Sequence, residues 1–144
     1  MNIKIKQIVN AYKILDDSKV TSLEVTEVIK IIKARKTMRP IVDEYDAFLK
    51  DCQDKFKPEN WDTVQSNLQK WQQEGEKTTL TEEERIEVNK TIIEYQRKVN
   101  DAIKEELEKC VEIIIDSLNE DSITKLLVEN GWELKKLDEL EILL

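Results

Sequence analysis

Side chains that could carry out catalytic or metal chemistry are few in this sequence of 144 residues. It contains no histidine, so the commonest general base and the commonest metal ligand are both missing. Cys52 and Cys110 lack the close spacing of a zinc site, and Gly75 and Gly131 stand alone rather than in a phosphate-binding loop. We therefore predict no catalytic, cofactor-binding or metal-binding residue, and we expect that the chain is not an enzyme.

A row of cations is the strongest candidate for a binding surface. Lys30, Lys33, Lys36 and Arg39 follow one another every three residues, and no acidic residue interrupts them. In a helix, this spacing places the four side chains along one broad side. We predict that they contact a partner. The alternative is a solvated side that pairs with acids of a helix over residues 82–108.

Two tryptophans form the second candidate. Trp61, Val64, Leu68 and Trp71 are spaced by three, four and three residues, which predicts one side of a short helix that ends at Gly75. Trp61 and Trp71 are candidate anchors for a protein partner, because large aromatic rings are enriched at interfaces. The alternative is that they fasten the short helix to the longer ones.

The elements that must carry these residues are predicted to be helices. Charged residues make up 38% of the chain, with only 2 glycines and 2 prolines, which favours helices over sheets. A long helix is predicted over residues 22–56, with Ser22 as its N-cap. Pro40 is expected to kink it; the alternative is that a new helix begins there. The predicted buried side changes phase at Pro40, from Val25, Val28 and Ile32 to Met38, Val42, Tyr45, Leu49, Cys52 and Phe56.

A second long helix is predicted to begin near Thr81 and Glu84, which have the spacing of a capping box. Its apolar side extends to Cys110, and both cysteines are expected to be small core residues. The two long helices are predicted to pair as an antiparallel hairpin, with residues 61–71 crossing between them. The expected fold is therefore mainly α, a hairpin or bundle with short extra helices, in a single domain over residues 1–144.

The two ends of the chain predict a small sheet and a docked tail. Ile3 and Ile5 alternate with lysines, which indicates a strand that pairs with residues 111–115 in a two-stranded patch. The alternative is that residues 111–115 continue the helix. Ser117 and Glu120 form a second possible capping box, and Asn130 with Gly131 predicts a helix end. The apolar residues 140–144 are expected to dock on the domain, or otherwise to bind a partner.

Charge is distributed unevenly along the chain. Residues 1–40 hold 9 Lys and Arg against 4 Asp and Glu, whereas residues 101–144 hold 5 against 13, within a net charge of −8. This balance argues against general nucleic-acid binding, which requires clustered cations. No apolar run resembles a signal peptide or a membrane span. We expect an intracellular protein that is not secreted by a signal of its own and has no membrane partner.

Three segments resemble a family of short phage- or prophage-encoded proteins of unassigned function. They are Ile3-Lys4-Ile5-Lys6-Gln7-Ile8-Val9-Asn10-Ala11-Tyr12, residues 29–56 and residues 111–118. Such proteins share a short Ile/Lys-rich start, a Lys-rich long helix, an acidic second helix and a Leu/Glu-rich end. The resemblance implies a viral or prophage origin, and we therefore expect the protein in the host cytoplasm or the virion. Residues 61–71 look like an addition to this pattern.

Two functions agree with these features. The first is a non-enzymatic phage protein, for virion, assembly or accessory use, that acts through protein–protein contacts or self-association. The second is an inhibitor of a host nucleic-acid-processing or defence protein, with the carboxylates of residues 101–144 standing in for phosphates. A bound host nuclease or polymerase would favour the second, and a capsid or tail protein the first.

Overall fold

The computed structural model describes all residues from Met1 to Leu144, and most of them are helical. In chain order the elements are β1 (Asn2–Lys4), α1 (Ile5–Asp16), α2 (Val25–Lys55), α3 (Trp61–Glu74), α4 (Glu82–Glu108), β2 (Cys110–Glu112), α5 (Glu120–Asn130) and α6 (Leu134–Glu139). Short 3-10 turns follow α3 at Gly75–Lys77 and α6 at Glu141–Leu143. The predicted mainly α fold, with long helices and a small β patch, is confirmed. None of the helices has both the length and the apolar character needed to cross a membrane.

The chain forms two compact units. The first contains Met1–Ala47 and Glu106–Leu144, and the second contains Phe48–Glu105. Both long helices contribute residues to each unit. A single domain over residues 1–144 stays a prediction.

The β patch belongs to the first unit. β1 and β2 pair antiparallel, with Ile3 opposite Val111, and the Ile3 side chain is buried. The pairing continues beyond the strands, since the Ile5 amide donates to the Lys109 carbonyl at 2.9 Å. The predicted two-stranded patch is thus confirmed, but it is shorter than predicted. β2 covers Cys110–Glu112 rather than residues 111–115, and Ile5 already belongs to α1. The alternative of a continued helix is wrong.

The core of the first unit collects apolar side chains from both of its segments. Its largest fully buried members are Ile8, Met38, Leu126, Leu140 and Leu143. The C-terminal tail is fixed by its backbone as well, because the Leu118 amide donates to the Leu143 carbonyl at 2.8 Å. The prediction that residues 140–144 dock on the protein is confirmed.

The second unit is held together by α3, α4 and the last turns of α2. Val64 of α3 and Val88 of α4 are fully buried. α4 begins with the predicted capping box: the Glu84 amide donates to Thr81 Oγ1, and the Thr81 amide donates to Glu84 Oε1, both at 3.1 Å. These two bonds satisfy amides that the helix itself leaves without partners.

α2 differs from the predicted helix in the residue at which it begins and in the residues that it buries. It begins at Val25, so Ser22 lies before the N-cap position, and the Ser22 hydroxyl donates to Glu129. The helix continues through Pro40, so no new helix begins there. The buried positions run without a change of phase through Glu27, Ile31, Ala34, Met38, Val42 and Tyr45. The predicted stripe of Val25, Val28 and Ile32 is therefore wrong.

Two further local predictions are corrected. The N-cap of α5 is Asn119, whose side chain accepts from the Ser122 amide at 2.7 Å, and not a box of Ser117 and Glu120. Cys52 is buried as expected, but Cys110 is exposed, because it lies on the solvent side of the two-stranded patch. The helix end at Gly131 is confirmed, and this residue has the left-handed backbone (φ 61°) that favours glycine.

Candidate functional site

One side of α2 in the first unit carries exposed apolar and basic side chains together. Opposite the buried positions, Ile29 and Ile32 are 44% and 46% exposed, although both are large aliphatic residues. Residues three, four or seven apart share a side of a helix, so these isoleucines lie beside the cations. We call this surface the α2 face, and it consists of Val25, Ile29, Ile32, Lys33, Lys36 and Arg39. It is about 20 Å long.

The cations of the α2 face are free of ion pairs. Lys33, Lys36 and Arg39 are exposed, and none of them makes an ion pair. Lys30 differs from them, because its ammonium donates to Glu27 at 3.1 Å and to the Ser117 carbonyl at 3.2 Å. Lys30 is therefore paired with Glu27 and not with an acid of residues 82–108, as the alternative interpretation expected. Three of the four predicted cations are available to a partner, and Lys30 is engaged within the unit.

A small groove lies along the edge of the α2 face. It has a volume of about 180 Å³ and is lined by Tyr12, Ile32, Arg35, Lys36 and Arg39. Arg35 is fixed there by an ion pair with Asp16, and its guanidinium carbon lies 5.8 Å from the centre of the Tyr12 ring. This volume equals that of about six liquid waters, so the groove has room for one side chain. Its lining suits a side chain that has an apolar stem and a carboxylate.

The start of α2 is held by a buried carboxylate. Glu27 is only 3% exposed, and its oxygens accept from the Lys30 ammonium, from the Asn119 side chain at 2.9 Å and from the Asn119 amide at 3.2 Å. Burial disfavours the charged form, but these hydrogen bonds outweigh burial, so the pKa of Glu27 lies below its usual value. An ionised Glu27 thus connects α2 to Asn119, the N-cap of α5.

A second carboxylate fixes the loop that precedes α2. Glu129 of α5 accepts hydrogen bonds from the hydroxyls and the amides of both Thr21 and Ser22; the Ser22 hydroxyl lies 2.6 Å from Oε2. The hydroxyls of Ser22 and Thr21 are the main reason that the pKa of Glu129 is lowered to about 2. These contacts attach the loop before α2 to α5, which lies far away in the sequence.

Trp61 and Trp71 lie on α3, in the second unit, whereas the cations lie in the first. The Trp61 ring packs against Tyr95 of α4, with 4.3 Å between the ring centres and an angle of 45°. The Tyr95 hydroxyl in turn donates to the Gln53 carbonyl at 3.2 Å. Both tryptophans are partly buried, and Val64 between them is fully buried. These contacts favour the structural alternative for Trp61, an anchor between helices.

Part of the α2 face could not be recognised in the sequence. Ile29 and Ile32 belong to it because Glu27, not an aliphatic residue, occupies the buried side. The sequence contains one signal for this arrangement. Lys30 follows Glu27 by three residues, which is a common spacing for an ion pair within a helix. No group of three or more Cys, Asp or Glu side chains is placed to hold a metal ion.

Comparison with known proteins gives this chain no relatives from which a role can be carried over. No protein-family model, curated protein or solved structure matches it.

Proposed function

We propose that this chain is a non-enzymatic binding protein that recognises an acidic, amphipathic segment of another protein through the α2 face. The observation that carries the proposal is that Lys33, Lys36 and Arg39 are unpaired and lie beside the exposed Ile29 and Ile32. This role agrees with the predicted phage protein that acts through protein–protein contacts. The proposal assigns no reaction to the chain.

The mixed character of the α2 face supports a protein partner over the other classes. Exposed isoleucines side by side suit the apolar side of a helix, and the flanking cations suit its carboxylates. A nucleic acid would meet three cations on a chain whose net charge is −8, and aliphatic side chains contribute little to phosphate binding. The charge of the face also determines which helices fit, because a basic helix would be repelled.

The alternative, an acidic surface that mimics nucleic acid, has less support. Several carboxylates within residues 101–144 are already engaged. Glu112 lies 2.5 Å from the amino terminus, Asp121 lies 2.9 Å from the Lys125 ammonium, and Glu129 binds the loop before α2. No specific observation sets the remaining acids apart as a row of phosphate mimics. This inhibitor function stays a hypothesis.

The proposal can be tested with a peptide probe. A fluorescent helical peptide with leucines on one side and glutamates on the other should bind the full chain, and the same peptide with lysines for glutamates should not. Lys33→Glu together with Lys36→Glu should weaken binding at least about tenfold, because two attractive contacts become repulsive. Ile29→Asp should have a similar effect. Lys50→Glu is the matched control, since it changes one exposed lysine elsewhere on α2.

Two results would overturn the proposal. One is equal binding of the acidic and the basic peptide, or binding that ignores Lys33, Lys36 and Ile29. The other is retardation of a DNA duplex of about 20 base pairs at about 0.15 M salt that is lost in the Lys33→Glu, Lys36→Glu variant. The second result would assign the same cations to nucleic acid.

A further inference from the structure

The solvent side of α4 carries a second pair of exposed isoleucines. Ile86 and Ile93 are 57% and 64% exposed, while the opposite side of the helix buries Val88 and Val99. Seven residues separate the two isoleucines, which is two helical turns or about 10 Å along the axis. Both lie in the second unit, and neither contributes to the contacts described above. An amphipathic helix would normally place polar residues at these positions.

The charges around this pair are arranged symmetrically. Glu82 lies four residues before Ile86, and Arg97 lies four residues after Ile93. Both charged side chains are exposed, and neither makes an ion pair. The order acid, isoleucine, isoleucine, cation therefore has its centre between Asn89 and Lys90. We call Glu82, Ile86, Asn89, Lys90, Ile93 and Arg97 the α4 face.

We infer that the α4 face binds a second copy of this chain, with the two α4 helices antiparallel. A twofold axis between Asn89 and Lys90 places Ile86 against Ile93 of the second copy, and Ile93 against its Ile86. The same axis places Glu82 beside Arg97 of the other chain, twice. Two isoleucine contacts and two ion pairs thus form from a single helix in each copy.

The opposite orientation does not satisfy these charges. In a parallel pair, Glu82 would face Glu82, Lys90 would face Lys90, and Arg97 would face Arg97 across the interface. Like charges in such positions oppose association and select against that arrangement. The antiparallel pair has one unfavourable feature, since both Lys90 side chains lie near the axis. Their long stems allow the ammonium groups to turn outward to solvent.

The contact is small, and we expect a reversible dimer. Two isoleucines and their neighbours bury much less than the area of a standard protein interface. We therefore expect a dissociation constant between about 10 µM and 1 mM. Such a dimer forms where many copies are concentrated and separates on dilution.

Sedimentation of the full chain over this concentration range tests the interface. The wild type should pass from monomer to dimer, and Ile86→Asp or Ile93→Asp should weaken the dimer at least about tenfold. Both positions are exposed, so these variants should fold normally. Ile114→Asp is the control, because it changes an exposed isoleucine of the first unit and should dimerise like the wild type. A wild-type chain that stays monomeric, or an Ile86→Asp variant that dimerises normally, overturns the inference.

A charge exchange tests the orientation. Glu82→Arg alone and Arg97→Glu alone should each weaken the dimer, because each brings like charges together in the antiparallel register. The double variant should dimerise like the wild type, because its ion pairs are restored with reversed polarity. A double variant no better than the single ones overturns the antiparallel arrangement.

Cross-linking gives an independent measurement of the register. Cys110 is exposed and would be replaced by serine, whereas Cys52 is buried. A short bis-maleimide should join an Ile86→Cys chain to an Ile93→Cys chain more efficiently than it joins either variant to itself. Preferential joining of Ile86→Cys to itself would indicate a parallel pair and overturn the inference.

Discussion

The α2 face and the α4 face have similar apolar side chains but different charge patterns. Each presents exposed isoleucines on the solvent side of a long helix. Beside Ile29 and Ile32 the charged residues of the face are all cations, whereas Ile86 and Ile93 lie between an acid and a cation. Two copies of the α2 face would repel each other, and two copies of the α4 face attract each other in one orientation. Apolar area thus supplies binding energy in both faces, while the order of charges selects the partner.

The two faces also differ in how their helices begin. The α2 helix is held at its start by Glu27 and Glu129, which connect it to Asn119 and α5 across the first unit. The α4 helix begins with a capping box between Thr81 and Glu84, which lie three residues apart. The first start depends on tertiary structure and the second depends on local sequence. Separate changes should therefore disturb one face and spare the other.

Met38→Ala should have the largest effect on stability, and it should act on α2 rather than on α4. Met38 is fully buried opposite the α2 face, so its removal leaves a cavity in the first unit. We expect a loss of about 3 kcal/mol in the free energy of unfolding, measured by chemical denaturation. Ile32→Ala, on the exposed side, should cost less than about 0.5 kcal/mol. Equal losses from the two variants would mean that the sides of α2 are assigned wrongly.

Thr81→Ala should have a smaller effect, at the start of α4. It removes the hydroxyl that accepts from the Glu84 amide at 3.1 Å, and the loss of such a cap costs about 1 kcal/mol. Hydrogen exchange should become faster at the Glu84 amide, while amides of α2 keep their rates. Because Glu82 lies in the loosened turn, self-association should weaken slightly. Thr63→Ala, an exposed threonine of α3, is the control. Unchanged exchange at Glu84 would contradict the role of the box.

The parts of the fold that depend on local interactions could be predicted from the sequence. The Thr81–Glu84 box, the helix end at Gly131 and the β patch each depend on a few neighbouring residues or on simple alternation. The start of α5 was misassigned, because Ser117 and Asn119 both have N-cap side chains. The structure selects Asn119, whose side chain also donates to the buried Glu27. Only a contact between distant segments distinguishes the two.

The buried side of α2 could not be predicted for the same reason. Counting apolar side chains favours Val25 and Ile32, but the helix instead buries Glu27 and Ala34. A buried glutamate is stable there because Lys30 and Asn119 satisfy its charge, and Asn119 belongs to another segment of the chain. The apparent change of phase at Pro40 followed from this misassignment. The cations of the α2 face were visible in the sequence, whereas their apolar neighbours were not.

Lowering the pH should destabilise the start of α2 through protonation of Glu129. We expect this effect to be the smallest, because the carboxylate is only partly buried. Its pKa is lowered from 4.5 to about 2 in the folded chain. A carboxylate with a lowered pKa stabilises the fold fully above its unfolded value, and that contribution is lost as the pH falls from about 4.5 to about 2. The Glu129→Gln variant should therefore be less stable than the wild type at neutral pH, and the difference should shrink only below pH 4.5.

NMR signals of the Thr21 and Ser22 amides can follow this carboxylate directly, since both amides donate to it at 3.2 Å. In the folded wild type they should stay constant between about pH 5.5 and 3.5 and begin to move below that range. Glu133→Gln is the control, because it removes an exposed carboxylate close by in sequence. A midpoint near 4.5 would mean that Glu129 does not hold the loop before α2. Glu27 would then be the one carboxylate that holds the start of α2 to a distant segment, and the contrast with the locally capped α4 would rest on that buried side chain.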